Sequence, residues 1–223
     1  MEYPQLAVPA LLDLSHTAAR PLLEGVEYPW QVLLGIGEFI KTLGSTLSPE
    51  EYEHPEEWVW VHKTVKRFPS SYIAGPCVIG PETEIRPGAF IRGNALVGAG
   101  CVVGNSTELK NVILFDSVQV PHYNYVGDSV LGYKAHMGAG AVTSNVKSDK
   151  SLVTIAMGKS QVRTSLKKLG AVLGDHVEVG CGTVLNPGTV IGRGSRIYPL
   201  SSVRGVVAGN SIYKRAGEIA PIR

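Results

Sequence analysis

Residues 73–109 read IAGPCVIGPETEIRPGAFIRGNALVGAGCVVGNSTEL, and every sixth position of this stretch is aliphatic. The column comprises Ile73, Ile79, Ile85, Ile91, Val97, Val103 and Leu109, and it resumes as Leu173, Val179, Leu185, Ile191, Ile197 and Val203. The position four residues later is small or β-branched, as in Cys77, Thr83, Ala89, Ala95 and Cys101. A helix of 3.6 residues per turn cannot hold a period of six on one face. Each unit is therefore expected to be a short strand and a turn, stacked into an all-β solenoid.

The composition indicates an ordinary globular protein. The 223 residues are 44% hydrophobic and carry a net charge of +2, which favours a packed core and gives no reason to expect nucleic acid as a partner. No run of 18 apolar residues and no signal-peptide pattern is visible, so we expect no membrane association and a cytoplasmic location. The three cysteines form no CxxC pair, which gives no indication of a metal site, and small buried residues are the expectation for them.

The hexapeptide pattern divides the chain into regions. Residues 1–70 lack it and have helical spacing of apolar residues, which predicts a helical cap over the open end of the solenoid. Within this cap, Ser48-Pro49-Glu50-Glu51 is typical of a helix N-terminus. Residues 71–210 are assigned to the β-helix, and residues 211–223 to a C-terminal tail.

The middle of the solenoid is irregular. The period slips between Leu109 and Leu114 and again at Leu131, and it is absent from residues 145–170. This last segment carries several lysines and is too long for a simple turn. We expect it to be a functional loop that leaves the prism toward solvent or a neighbouring subunit.

The repeat [aliphatic]-Gly-x-x-[small]-x resembles that of left-handed β-helix transferases. An ordered set of polar residues over roughly residues 73–207 resembles the acetyltransferase part of the bifunctional glucosamine-1-phosphate acetyltransferase/N-acetylglucosamine-1-phosphate uridyltransferase family. The archaeal sugar-1-phosphate nucleotidylyltransferases with a similar tail look closer still. The set is Glu108-Leu109-Lys110-Asn111, then 120–128 (VPHYNYVGD), then Gly138-Ala139-Gly140-Ala141, then Asn145. The resemblance implies a left-handed parallel β-helix that transfers an acetyl group from acetyl-CoA to an amino-sugar phosphate.

Acetyl transfer to an amine needs a base for the amine proton and donors for the developing oxyanion. The resemblance assigns the base to His122, whose imidazole titrates near neutrality, and assigns to Glu108 the role of orienting it. It also implies that Ala139, Cys181 and Pro199 bind acetyl-CoA, with backbone N–H groups near Ala139 holding the thioester oxygen.

The acceptor contacts also come from the resemblance. Arg86 and Lys110 correspond to a phosphate clamp, while Tyr125, Asn145 and Lys150 correspond to other acceptor contacts. Arg86 and Lys110 are 24 residues apart, which is four hexapeptides, so we expect both to point outward and to meet on one anion. The resemblance further implies a homotrimer with sites between subunits.

Two positions depart from the family pattern. His136 stands where the family carries asparagine, and Ser151 stands where a lysine is expected. These departures leave open whether the activity is kept, redirected or lost, and the sequence names neither the sugar nor the acyl group.

Three alternatives therefore stay open. One is a non-catalytic regulatory or assembly domain related to sugar nucleotidylyltransferases, and another is an acyltransferase for a different acceptor. The third is a carbonic anhydrase of the same fold, which is disfavoured because it needs a close pair of histidines, and none occurs after His62.

Overall fold

The computed structural model describes residues 2–215 and 218–221. It is a parallel β-solenoid of about nine turns preceded by a small helical segment, which confirms the predicted fold class. The inward aliphatic columns are fully buried, as at Ile79, Ile85 and Val103. None of the helices in the described ranges has the length and hydrophobicity needed to cross a bilayer.

The coils form a three-sided prism whose faces we name by their outward residues. The covered face consists of Val59–His62, Cys77–Ile79, Ala95–Val97, the second halves of Glu108–Leu114 and Tyr125–Leu131, Ala171–Leu173, Thr189–Ile191 and Val206–Val207. The polar face consists of Lys66–Arg67, Glu84–Ile85, Val102–Asn105, Gln119–His122, His136–Met137, Glu178–Val179, Arg196–Ile197 and Ser211–Arg215. The mixed face consists of Tyr72–Ile73, Phe90–Ile91, the first halves of Glu108–Leu114 and Tyr125–Leu131, Val142–Thr143, Val184–Leu185 and Ser202–Val203. The turns that join the polar face to the mixed face, at residues 122–124, 138–141, 180–183 and 198–201, are called the His122 corner.

The strand registers explain the slips in the sequence period. Glu108 pairs with Tyr125, and Tyr125 pairs with Val142, so both of these coils have seventeen residues instead of eighteen. The shortened coils keep their inward residues in line, since Leu109 pairs with Val126 and both are fully buried.

The N-terminal segment corrects the expectation of an end cap. Its helices are Val8–Leu11, Arg20–Glu24 and Ile36–Gly44, with 3-10 turns at Pro4–Leu6, Leu14–His16 and Pro29–Val32. The segment lies lengthwise along the covered face, and helix Ile36–Gly44 contacts three of its strands. The reason is the outward row of that face, which is apolar and buried: Val78, Leu96, Ile113, Val130, Val172 and Val190.

The predicted helical region also ends earlier than residue 70. Residues 48–51 form a turn rather than a helix start, and Tyr52–Glu56 pairs antiparallel with Val59–His62. Val59 in turn pairs with Cys77, so the solenoid begins before residue 71. The valines and the tryptophan of this short stretch favour extended backbone.

The segment 145–170 and the C-terminal residues both form strands. Thr154–Met157 and Ser160–Arg163 make an antiparallel hairpin whose Val153 and Ile155 are buried, and the hairpin packs so closely on Gly188 that a Cβ there would clash with Val153. The hairpin therefore folds back on its own solenoid instead of projecting away from it. At the other end, Ser211–Arg215 continues the polar face and Glu218–Pro221 pairs antiparallel with it.

Candidate active site

The predicted base His122 and the three residues predicted to bind acetyl-CoA lie in one column of the His122 corner. Backbone hydrogen bonds link consecutive coils, with Gly140 N donating to His122 O (3.0 Å), Gly182 N to Ala139 O (2.8 Å) and Leu200 N to Cys181 O (2.8 Å). Because Pro199 precedes Leu200, the column runs His122, Ala139, Cys181, Pro199 along consecutive coils. Residues 17 to 42 positions apart in sequence thus become direct neighbours.

Asn124 fixes the backbone beside His122. Its side chain is buried, and its amide donates to Gly138 O (2.8 Å) and Ala141 O (3.0 Å) on the next coil. Its Oδ1 accepts from the His122 backbone N–H (3.1 Å). The imidazole itself is exposed and makes no side-chain hydrogen bond within the described part of the chain. Sequence reasoning did not single out Asn124, although an asparagine at a tight turn is a recognisable signal.

The corner also offers backbone donors. Among residues 2–215 and 218–221, the amide N–H groups of Ala139 and Cys181 have no acceptor, and both residues are exposed. Unpaired N–H groups that face outward from a fixed backbone are the donors that an oxyanion or an amide carbonyl requires.

A polar cluster on the mixed face is built around Asp128. This carboxylate is buried and accepts from Asn111 Nδ2 (2.9 Å), Lys110 Nζ (3.4 Å) and Asn145 Nδ2. Three donors on one buried carboxylate hold Lys110 and Asn145 in defined positions. Sequence reasoning quoted Asp128 in a motif but assigned it no role.

Tyr125 belongs to the same cluster. Its hydroxyl accepts from Asn145 Nδ2 (3.2 Å), and both groups lie so close over Gly127 that a Cβ there would approach the hydroxyl to 2.5 Å. Burial raises the pKa of the Tyr125 phenol, an effect that the Asn145 hydrogen bond opposes. The raised pKa favours the neutral phenol, whose hydroxyl can donate to a polar ligand.

Glu108 makes no hydrogen bond to His122 within the described residues, although its backbone N–H donates to Asn124 O (2.8 Å) on the next coil. Its carboxylate is on the mixed face, where it accepts from Arg92 Nη1 at 2.7 Å. This hydrogen bond and the carboxylate charge raise the pKa of Arg92. Within one chain, Glu108 therefore orients Arg92 rather than the imidazole.

The structure does not bring Arg86 and Lys110 together. Arg86 lies next to Glu84 of the polar face, with Nε at 3.0 Å from its carboxylate, whereas Lys110 lies on the mixed face. A separation of 24 residues is one coil plus one face. The residue one full coil before Lys110 is Arg92, because Ile91 pairs with Leu109. Arg92 is the cation that the spacing argument missed.

Lys150 is exposed in the segment 145–170 and lines an open cavity with Val146, Lys167 and Lys168. Leu169 N donates to Asn145 O at 3.0 Å, so this lysine-rich cavity adjoins the polar cluster. Ser151, which stands in place of a lysine, bonds to Asp149 and Lys147. Lys167 and Lys168 are further cations beside the polar cluster. The sequence analysis counted them only among the lysines of the loop and assigned them no contact.

His136 lies on the polar face, where its Nδ1 is 2.7 Å from Glu178 Oε2.

The three cysteines separate into two kinds. Cys77 and Cys101 are buried, and burial raises the pKa of each thiol to about 12, whereas Cys181 is exposed in the His122 corner. The expectation of a small buried residue is therefore wrong for Cys181.

Comparison with known families gives the identity of this fold. A family model described as GMPPB C-terminal domain matches residues 73–194, which is more than half of the chain. The chain belongs to the GMPPB C-terminal domain family. The match includes the polar cluster around Asp128 and the first three turns of the His122 corner, and it ends before the turn that contains Pro199.

Curated relatives of this GMPPB C-terminal domain protein agree with the predicted resemblance. A Methanococcus maripaludis "Bifunctional protein GlmU" is 38% identical over 111 residues, which is 50% of this chain and 27% of the relative. A second protein of that name from the same species is 32% identical over 77% of this chain and 42% of the relative. A Sulfurisphaera tokodaii "Bifunctional sugar-1-phosphate nucleotidylyltransferase/acetyltransferase" is 33% identical over 60% of this chain and 32% of the relative. The chain thus spans less than half the length of these relatives.

Among solved structures, a hexapeptide transferase family protein from Anaplasma phagocytophilum has a TM-score of 0.42 at 16% identity, covering 74% of this chain and 79% of that protein. The acetyltransferase domain of PglB from Neisseria gonorrhoeae, solved with acetyl coenzyme A, has a TM-score of 0.34 at 15% identity, covering 74% and 57%.

Proposed function

We propose that this protein transfers an acetyl group from acetyl-CoA to the amine of an amino-sugar phosphate such as glucosamine 1-phosphate. The observation that carries the proposal is the column of His122, Ala139, Cys181 and Pro199. The chain turn after His122 leads directly to Tyr125, which belongs to the cluster of cations and neutral hydrogen-bonding groups around Asp128 on the mixed face. A thioester and the amine of a phosphorylated sugar would meet at this corner. The name of the Sulfurisphaera tokodaii relative, a sugar-1-phosphate nucleotidylyltransferase/acetyltransferase, supports the same chemistry.

In the proposed reaction, the amine nitrogen attacks the thioester carbonyl and forms the C–N bond, while His122 takes the amine proton. The Ala139 N–H holds the carbonyl oxygen as it gains charge, the C–S bond then breaks, and the proton held by His122 passes to the leaving sulfur to give the CoA thiol. Asn124 has a positioning role, because it holds the backbone of His122 and that of the Ala139 turn at once.

The phosphate is assigned to Arg92 and Lys110, which are stacked on neighbouring coils of the mixed face. A guanidinium and an ammonium at this spacing suit a phosphate monoester. Tyr125 and Asn145 are assigned to the sugar, and Lys150 to the outer edge of the acceptor site. Arg86 has no part in this proposal.

We propose that the active unit is a homotrimer. The imidazole of His122 is exposed in one chain, and Glu108 is turned toward Arg92. A neighbouring prism packed against the His122 corner would bury the imidazole and complete the acceptor site. Sedimentation of the purified protein at micromolar concentration is expected to give three chains per particle.

The test is release of the CoA thiol from acetyl-CoA with a panel of acceptors. The panel contains glucosamine 1-phosphate, free glucosamine and nucleotide-linked amino sugars, with buffer alone as the control. The expected result is the highest kcat/KM for an amino-sugar phosphate. Turnover of an unphosphorylated or nucleotide-linked sugar at equal efficiency would redirect the proposal to an acyltransferase for another acceptor.

A non-catalytic regulatory or assembly domain is the second candidate. It is favoured by the match to a family described as a C-terminal domain and by the Glu108 carboxylate, which pairs with Arg92 instead of the imidazole. The same assay separates the two candidates. An assembly domain is expected to release no thiol with any acceptor while keeping its oligomeric state.

A further inference from the structure

Each of the seven turns that join the polar face to the mixed face, four of which form the His122 corner, contains one residue with a positive φ. These residues are Ser70, Gly88, Ser106, Tyr123, Gly140, Gly182 and Leu200. Five of them are glycine or serine, while Tyr123 (φ 51°) and Leu200 (φ 56°) are large. Left-handed backbone is unfavourable for bulky side chains. Large residues also adopt it at the turns between the covered and polar faces, at Glu82, Lys134 and His176, but these three carry polar or charged side chains, whereas Leu200 is apolar and Tyr123 is aromatic.

Packing within the chain does not account for these two side chains. Tyr123 is 65% exposed and Leu200 is 85% exposed, so neither stabilises the core by burial. Leu200 leans back along the corner, since a Cβ on Gly182 would lie 2.8 Å from its Cδ2. Strained residues that gain nothing from the fold concentrate at functional sites.

The two side chains stand at the ends of the row Tyr123, Gly140, Gly182 and Leu200, which we call the slot. Tyr123 follows His122 at one end, and Leu200 follows Pro199 three coils away, a distance of about 14 Å at the usual strand spacing. Between them, Gly140 has nothing within 4 Å of the place where a Cβ would be. The unpaired N–H groups of Ala139 and Cys181 lie along the same slot. Its floor is therefore open at Gly140 and covered by Leu200 at Gly182, with two hydrogen-bond donors along it and a large side chain at each end.

We propose that Tyr123 and Leu200 determine the donor specificity of this corner. The occupant is the acyl-pantetheine arm of an acyl-CoA, a long and narrow chain whose amide carbonyls accept from backbone N–H groups. Tyr123, next to the general base, limits the length of the acyl group, and Leu200 covers the arm where it leaves the slot. This inference rests on the proposed acyl transfer and adds to it the residues that select the donor.

The test uses Tyr123→Asn and Leu200→Asn, because asparagine tolerates a positive φ and lacks the apolar surface. Leu34→Asn is the matched control, since Leu34 is 86% exposed and lies in the N-terminal segment, away from the corner. For the full-length protein, kcat and KM are measured with acetyl-, propionyl- and butyryl-CoA. Binding of CoA is measured by calorimetry, and Tm by thermal unfolding.

Tyr123→Asn is expected to raise the butyryl-to-acetyl ratio of kcat/KM about tenfold or more. Leu200→Asn is expected to raise the KM for acetyl-CoA about tenfold with little change in kcat, and to weaken CoA binding in parallel. Relief of the strained backbone is expected to leave Tm unchanged or to raise it by about 2–4 °C. Leu34→Asn is expected to match the wild type in kcat, KM and CoA binding.

Suppose that the wild type turns over acetyl-CoA and that both corner variants keep the wild-type acyl preference and the wild-type KM for the donor. This result would leave the proposed function in place and overturn the present inference. A fall in Tm that accounts for the lost activity would also overturn it, because the side chains would then be structural. Tyr123→Gly and Leu200→Gly repeat the test if an asparagine variant fails to fold. A wild type with no thiol release and no CoA binding removes the proposed function together with this inference.

Discussion

The covered face and the polar face share the same inward hexapeptide column, but their outward rows differ in character. On the covered face the outward row is Val78, Leu96, Ile113, Val130, Val172 and Val190, and all of these side chains are buried under the N-terminal segment. On the polar face the row in the same position is Glu84, Val102, Gln119, His136, Glu178 and Arg196. The inward column specifies the prism, and the outward row decides what each face meets.

This difference explains where a functional site is available. Each side chain buried on the covered face contributes about 1.5–3 kcal/mol, so the N-terminal segment is held firmly and that face is closed to partners. The polar and mixed faces and the corner between them remain open. His122, the cluster around Asp128 and the residues of the slot all lie there. Their strands share one buried core with the covered face.

His122→Ala tests the open corner and has the largest expected effect. If His122 is the proposed general base, its loss should lower kcat about 10²–10⁴-fold, and CoA binding should stay close to that of the wild type if backbone groups hold the donor as proposed. Steady-state kinetics and calorimetry on the same preparation measure both quantities. A variant within a few-fold of wild-type kcat would remove His122 from the mechanism.

Ile113→Ala and Gln119→Ala compare the outward rows directly. Ile113 is fully buried on the covered face, and Gln119 is exposed on the polar face. Truncation of Ile113 should cost about 2–5 kcal/mol, or roughly 5–15 °C in Tm, whereas truncation of Gln119 should stay within about 0.5 kcal/mol. Equal Tm values for the two variants would show that the N-terminal segment does not stabilise its face.

Arg92→Ala and Arg86→Ala compare two cations on different faces. If Arg92 binds the acceptor phosphate, its removal should raise the acceptor KM roughly ten- to a hundredfold, since a charge-assisted contact is worth about 1.5–3 kcal/mol. Arg86→Ala should change neither substrate's KM. Assays on glucosamine 1-phosphate and on free glucosamine provide the comparison. A raised acceptor KM for Arg86→Ala and an unchanged one for Arg92→Ala would favour the phosphate clamp of Arg86 and Lys110 that the sequence predicted.

The sequence predicted what every coil repeats. The inward columns were visible because a residue every six positions must be buried in each hexapeptide. The position of a side chain around the prism follows an eighteen-residue period instead, and this is why Arg86 was paired with Lys110 although Arg92 lies beside it. The same longer period contains Val78 and Leu96, an apolar pair eighteen residues apart that indicates a covered face. The hairpin and the Asn124 and Asp128 contacts depend on tertiary packing that no repeat encodes.

The last and smallest expected effect concerns Asp175, which joins the N-terminal segment to the solenoid. This buried carboxylate accepts from the backbone N–H groups of Asp13 (2.8 Å) and Tyr133 (2.9 Å) and pairs with Arg193 (3.0 Å). Burial raises its pKa above the ordinary value, although the Tyr133 hydrogen bond and Arg193 oppose the shift.

Because the folded state then binds the proton more tightly than the unfolded state, the Asp175 contribution to stability falls as pH rises from the unfolded pKa, about 3.9, through the folded pKa, and is constant above it. Asp175→Asn removes this titration. The free energy of unfolding from urea titrations between pH 3.5 and 7 should therefore fall less with pH in the variant than in the wild type across that window. Asp149→Asn, at an exposed carboxylate whose pKa is lowered by Ser151, should shift the curve in the opposite sense and serves as the control. Parallel curves for the wild type and Asp175→Asn would mean that the link between the N-terminal segment and the solenoid does not depend on the charge of this carboxylate.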